Sequence, residues 1–271
     1  MRVILISFDA LEDVLVKRFG CNVLMQKEHG IIDLEPYFQG RRQGPAGREP
    51  LTPEVYLAFM TGKVEKNLYH QQQGIINDTI ETIFSISRRE LDGNGVGQKG
   101  ALAIDVPAYS KQQPSFMTLL TGVALFRRYW KANMPLTEVE AEYFKYADFK
   151  ASYAKLVNIL NFDLVCWYFA FTDKLGHIYT SYDFKTKNRG VNQDNKLQVM
   201  YQKAEEIASH IIKEFDDGKT LIIIFSDHGL NLRGGHSSYG FWSSNKPLGR
   251  GNKIKVTDWF ELIKKWYNEK V

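Results

Sequence analysis

Three stretches of the chain are apolar at successive positions, with no alternation: Val3–Phe8 (VILISF), residues 164–171 (LVCWYFAF) and Leu221–Phe225 (LIIIF). Strands buried on both faces read this way, because a parallel sheet covered by helices leaves neither side of a strand to water. Residues 101–105 (ALAID) make a further, shorter strand. Between these runs the apolar positions recur at helical spacing, in residues 11–19 (closed by Gly20), 114–130, 136–160 and 196–215. A last helix is expected over 257–268, capped by Thr257, with Trp259, Leu262, Ile263 and Trp266 on one face. Strands alternating with helices predict a single α/β domain over residues 1–271, a three-layer sandwich with a mostly parallel central sheet and helices on both faces. The glycine run at 93–97 (GNGVG) precedes a strand instead of opening a helix, so it reads as a connection and not a dinucleotide loop. The polar stretch 182–195 reads as a loop near Asp173.

The apolar runs end alike. Asp9 follows the first directly, Asp173 follows the second after Thr172, and Asp227 follows the third after Ser226. Ligands of open α/β sheets bind at the carboxyl ends of the strands. One Asp in such a place is most simply a cap; three, two of them with a histidine attached, point to a site. Asp173 and His177 stand one helical turn apart and can face one ion, with Gly176 letting the chain pass close. Asp227 and His228 are adjacent and can chelate together only where the chain leaves its extended form, a turn that Gly229 is expected to ease. His236, in the glycine-rich segment 233–237, adds a further imidazole. Mixed carboxylate and imidazole donors suit zinc first, with manganese as the alternative. His29, His70 and His210 fall outside these patches and read as surface or satisfied core residues, His210 on a helix face.

Thr52, Pro53 and Glu54 precede a short apolar stretch, 55–60, that Gly62 closes. Thr52 is therefore placed as a helix N-cap with Pro53 in the first turn. A helix N-terminus also receives anions, so a hydroxyl there can meet a phosphoryl group.

Taken together, segments 4–11 (ILISFDAL), 51–63 (LTPEVYLAFMTGK), 171–179 (FTDKLGHIY), 225–230 (FSDHGL) and 234–241 (GGHSSYGF) resemble the alkaline phosphatase superfamily, most closely its nucleotide pyrophosphatase/phosphodiesterase branch. The resemblance covers essentially the whole chain and implies an alkaline phosphatase-like fold. It also implies two divalent metal ions, one held by Asp9, Thr52, Asp227 and His228, the other by Asp173, His177 and His236. By the same resemblance Thr52 is the nucleophile, and Asn77 resembles the asparagine that donates to a phosphoryl oxygen. The implied activity is hydrolysis of nucleotide-like or small phosphodiesters. A phosphomonoesterase or phosphomutase of the same superfamily stays open, as does a non-catalytic metal- or nucleotide-binding relative. No Cys or Ser stands in a C/S-x-P-x-R context, which disfavours sulfate esters.

Composition narrows this a little. With 271 residues, 44% of them hydrophobic, the chain can bury a large core. A balance of 35 basic against 31 acidic residues, net +4, is too mild to imply wrapping by nucleic acid. No apolar run approaches the ~20 residues that span a bilayer. Cys21 and Cys166 read as reduced core thiols and, with no hydrophobic leader after Met1 and Arg2, the expectation is a cytoplasmic protein. The aromatic residues include Tyr239, Phe241 and Trp242 beside His236, which either pack in the core or stack on a base; Tyr239 is carried forward as a substrate-binding candidate. A phosphomonoester calls for extra cationic contacts. No arginine except Arg233 stands close in sequence to the ligand patches, which tilts the expectation to diesters.

Overall fold

A computed structural model describes residues 2–34, 43–44, 47–48, 52–64, 69–70, 74–75, 80–86, 100–107, 135–180, 194–231 and 235–268. Its principal elements run β1 (Val3–Phe8), α1 (Asp13–Arg18), β2 (Glu28–Asp33), α2 (Thr52–Thr61), α3 (Ile83–Ile86), β3 (Ala101–Ile104), α4 (Leu136–Ser152) and α5 (Ala154–Leu160). They continue as β4 (Leu164–Phe169), α6 (Phe171–Thr180), α7 (Asp194–Phe215), β5 (Leu221–Phe225), β6 (Tyr239–Ser244), β7 (Lys253–Lys255) and α8 (Asp258–Asn268). The central sheet has seven strands in the order β7-β2-β6-β5-β1-β4-β3. β1 pairs in parallel with β4 and β5, Val3 lying opposite both Leu164 and Leu221. β3 runs parallel to β4 and β7 to β2, whereas β6 is antiparallel to both of its neighbours. The sheet is therefore mixed but mostly parallel, as the apolar runs predict.

Successive side chains of each strand leave the sheet on opposite sides, so every apolar run feeds two cores. Ile4, Ile6, Phe8, Val165, Trp167, Phe169, Ile222 and Ile224 pack with α1 and α4–α7. Val3, Leu5, Leu164, Cys166, Tyr168, Leu221, Ile223 and Phe225 pack with α2, α3 and α8 on the other face. Cys21 and Cys166 are both buried and unbridged. No helix among the described residues is long and apolar enough to cross a membrane.

The structure departs from the sequence reading in several places. The helix expected over 136–160 is interrupted at Tyr153: the Ser152 hydroxyl donates back to the Phe149 carbonyl at 2.7 Å, and the Tyr153 N–H bonds to Lys150, a tighter turn than the α-helical one. The second apolar run stops as a strand at Phe169, and Phe171 already opens α6, so Asp173 stands in the first turn of a helix. Helix α2 is buried at every position from Val55 to Thr61 instead of along one face. β2 (EHGIID) was not anticipated, because only Gly30 and Ile32 of its six residues are buried and its pattern is polar. The helix expected at 114–130, the glycine run 93–97, most of the 182–195 stretch, Asn77 and Arg233 lie outside the described residues.

Candidate metal centre

The ends of β1, β4 and β5 lie side by side because the three strands are adjacent and parallel. The N–H of Asp9 still bonds to the Phe169 carbonyl at 3.0 Å, holding Asp9 in line with the sheet. Ala10 then takes φ 61°, a left-handed conformation unusual for a residue with a Cβ, and the chain turns away. The Thr172 hydroxyl donates to the Asp9 carbonyl and so fastens the start of α6, which carries Asp173, to the end of β1. On the other side the Ser226 hydroxyl donates to the Leu11 carbonyl at 2.9 Å and accepts from the Phe241 N–H at 2.7 Å. The residue before Asp227 is thereby tied both to the segment that follows β1 and to β6.

His236 sits on a hairpin of Gly229–Asn231 and Gly235–Ser237, in register with Leu230. Helix α6 packs on that hairpin at Gly176, where a Cβ would come 3.0 Å from a Leu230 methyl. This close approach brings His177 to His236. Gly229 was expected to ease a turn through its conformational freedom, but its φ is not left-handed. The need there is for space, since a Cβ would stand 2.0 Å from a Glu12 carboxylate oxygen and 2.4 Å from the Ser237 hydroxyl.

All the described candidate ligands converge. His228 Nε2 lies 3.3 Å from Thr52 Oγ1, 3.3 Å from Asp9 Oδ1 and 3.4 Å from Asp227 Oδ2. Asp173 Oδ1 lies 3.0 Å from His177 Nε2 and 3.5 Å from His236 Nε2, and the two imidazole nitrogens are 3.1 Å apart. Donors bound to one tetrahedral ion at ~2.0–2.1 Å stand about 3.3 Å from each other. The spacings therefore match the edges of coordination polyhedra. The groups also adjoin: the His228 and His236 rings stack at 3.7 Å, and His228 shares a 4.8 Å cluster with Asp173 and His236 as well as one with Asp9 and Asp227.

The carboxylates divide their oxygens. Asp9 Oδ2 accepts from the Tyr168 hydroxyl at 2.5 Å, and Asp173 Oδ2 is paired with Lys174 Nζ at 2.5 Å. Asp9 Oδ1, Asp173 Oδ1 and both oxygens of Asp227 are buried with no donor aligned on them. Such oxygens are costly unless a cation completes them, and the donor set of carboxylates, imidazoles and one hydroxyl fits divalent ions. Sequence reading missed Tyr168 and Lys174. Tyr168 hides inside an apolar run, and a lysine beside an acid ordinarily reads as a solvated pair; the available signal was Lys174's place within FTDKLGHIY.

The protonation pattern follows from crowding. Burial, then the nearby Asp227 and Asp173, raises the Asp9 carboxyl well above the usual range, and burial raises Asp227 too. Burial would also raise Asp173, but Lys174 and His177 outweigh it and hold this carboxyl well below the usual range. Burial and the adjacent His236 push His228 down to about 3, leaving the neutral imidazole that can ligate. Asp173 raises His177. Phe241 and Trp242 are fully buried in the core, whereas Tyr239 is 41% exposed and has Lys253 Nζ 5.7 Å from its ring centre.

No protein-family model and no curated protein matches the sequence. Solved structures do match the fold. The alkaline phosphatase from the Antarctic bacterium TAB5 is 12% identical, with a TM-score of 0.57 over 98% of this chain and 97% of that one. The PH0037 protein from Pyrococcus horikoshii is 13% identical, with a TM-score of 0.51 over 100% and 97%. Ps i-CgsB, solved with k-i-k-neocarrahexaose, is 12% identical, with a TM-score of 0.52 over 100% of this chain and 72% of that one. At these identities the likeness is one of fold, and the fold is alkaline phosphatase-like.

Proposed function

We propose that the chain is a metal-dependent phosphoric ester hydrolase with Thr52 as nucleophile. The observation that carries this reading is Thr52 Oγ1 standing 3.3 Å from His228 Nε2, against a group of buried carboxylates and imidazoles spaced as ligands. Asp9, Thr52, Asp227 and His228 would hold one divalent ion, and Asp173, His177 and His236 a second. Imidazole donors favour zinc, then manganese; a variant of the TAB5 phosphatase was solved with Mg bound.

Ions held there supply the positive charge that acidifies a hydroxyl and neutralises phosphoryl oxygens. Thr52 Oγ1 attacks phosphorus, the bond from phosphorus to the ester oxygen breaks, and the alcohol leaves in line. Water then attacks the phosphothreonine; its oxygen stays on the released phosphate, and one proton returns to Thr52. Backbone N–H groups after Pro53 in the first turn of α2 would hold the equatorial oxygens, with Asn77 as a further donor. The motif likeness to the nucleotide pyrophosphatase/phosphodiesterase branch supports a small or nucleotide-like ester, and the exposed ring of Tyr239 offers a stacking surface for its base.

The test is turnover of chromogenic aryl phosphates by the purified chain. With zinc or manganese the expected rate exceeds background by at least about 1,000-fold, disappears with EDTA, and returns when the metal is restored. Tight metal and nucleotide binding with no turnover under either metal would make the chain a sensor and not an enzyme.

A further inference from the structure

We infer that the groove between α8 and the turn joining β6 to β7 is a binding site for a small aromatic carboxylate, separate from the metal centre. The groove encloses about 330 Å³, the size of a small-ligand site, between Pro247, Leu248 and Arg250 on the turn and Leu262, Lys265 and Trp266 on α8. It lies at the other edge of the sheet from the candidate ligands. β6 runs antiparallel to β5, so the end of β6 meets the start of β5. There the Asn245 N–H donates to the Ile222 carbonyl at 3.1 Å, and Lys246 Nζ donates to the Lys219 carbonyl at 2.7 Å. Asp227 follows the opposite end of the same strand.

The turn is pinned along its length. The Asn245 side chain accepts from the Ile222 N–H at 2.8 Å and donates to the Thr220 carbonyl at 3.0 Å, and the Leu248 N–H donates to the Glu28 carboxylate. Past Gly249 and Gly251, both left-handed at φ 65° and 68°, the Asn252 carbonyl accepts from the Ile31 N–H at 2.8 Å. It passes so close over Gly30 that a Cβ there would stand 2.1 Å from its oxygen. One wall of the groove is therefore preformed, which lowers the ordering cost of binding. The lining is apolar at its base and basic at its rim. Leu262 is buried and Trp266 half-buried, and with Lys265 they share one face of α8 at helical spacing. The charged side chains among the described lining residues are both cations, the exposed Arg250 and Lys265, and a third cation, Lys246, sets Nζ 5.7 Å from the Trp266 ring centre. A flat ring would lie against the apolar base while its acid group meets the rim. The planar fork of Arg250 matches a carboxylate with two parallel N–H bonds. A neutral ring would leave the basic rim unused, and an anion without a ring would leave the apolar base unused.

The probe is dansyl-glutamate, a ring with two carboxylates, titrated into the full chain in EDTA; dansylamide keeps the ring without the charge, and glutamate the charge without the ring. Stripped of ions, the metal centre presents the carboxylates Asp9, Asp173 and Asp227, which disfavour an anion, and the outcome does not depend on whether the chain hydrolyses phosphate esters. Saturable fluorescence enhancement is expected at one probe per chain, with Kd on the order of 10–100 µM. Dansylamide should bind at least about tenfold more weakly, and glutamate should compete poorly. Arg250→Gln should weaken dansyl-glutamate about tenfold, the loss of one charge-assisted hydrogen bond at an exposed site, and leave dansylamide unchanged. Adding Lys265→Gln should weaken the dicarboxylate further. Both changes fall on exposed side chains, so an unaltered Tm is expected to accompany them. Equal affinity for dansylamide and dansyl-glutamate, wild-type affinity in Arg250→Gln, or no saturation by 1 mM probe would overturn the inference.

Discussion

Thr52→Ala is expected to lower turnover of aryl phosphates by at least about 10,000-fold, because it removes the atom that attacks phosphorus in the proposed mechanism. Thr52 Oγ1 is one donor among several around His228, and Asp9, Asp227 and His228 remain in the variant. Zinc content should thus be unchanged, and affinity should weaken by no more than about tenfold. Thr52→Ser keeps a hydroxyl and should retain a measurable rate. Steady-state kinetics alongside elemental analysis separates a lost nucleophile from a lost metal. A Thr52→Ala protein with more than a tenth of the wild-type rate would remove the threonine from the chemistry.

Asp9→Asn should do two opposite things at once. Asp9 is fully buried near Asp227 and Asp173, and burial first, then these two carboxylates, raises its carboxyl. Two carboxylates some 4–5 Å apart repel by about 3–4 kcal/mol at an effective dielectric of about 20. Asn keeps an acceptor for the Tyr168 hydroxyl while losing the charge. The metal-free variant should therefore be more stable than metal-free wild type at pH 7.5, by about 2 kcal/mol, or roughly 5 °C in Tm. It should also lose turnover and most of the stabilisation that zinc gives the wild type.

The sign of the pH dependence follows. An acid whose folded pKa is raised contributes stability that is present below its unfolded pKa and is lost as pH rises through the folded value. The gap between the two metal-free proteins should accordingly close as pH falls toward the unfolded Asp value of about 4. Thermal melts in EDTA across that range would decide it. A variant less stable than wild type at neutral pH would mean that the carboxylates do not repel one another.

The parts of this fold that were legible in the sequence are those whose burial is uniform. β1, β4 and β5 are buried at every position, so they read as unbroken apolar runs, and their ends located Asp9, Asp173 and Asp227 without further information. β2 was illegible because most of its residues are partly exposed, and β6 because its aromatic residues Tyr239, Phe241 and Trp242 read as core packing without a strand pattern of their own. Helix period was enough for α7 and α8, but it could not foresee the turn at Tyr153, which a local serine hydroxyl sets. At the site, residues that would touch an ion directly announced themselves by type and spacing. Tyr168, Thr172 and Ser226 each act through a hydrogen bond that crosses more than 150 positions of sequence and left no local signature. Lys174 gave no signal of its contact either, because the curl of its side chain toward Asp173 is a feature of three dimensions only.

Diffraction from crystals grown with zinc, recorded at the zinc absorption edge, tests the central claim most directly. The expected map has two anomalous peaks about 3.5–4 Å apart, one bonded to Asp9, Thr52, Asp227 and His228, the other to Asp173, His177 and His236. Well-ordered Asp9 and Asp227 with no peak between them at saturating zinc would contradict it.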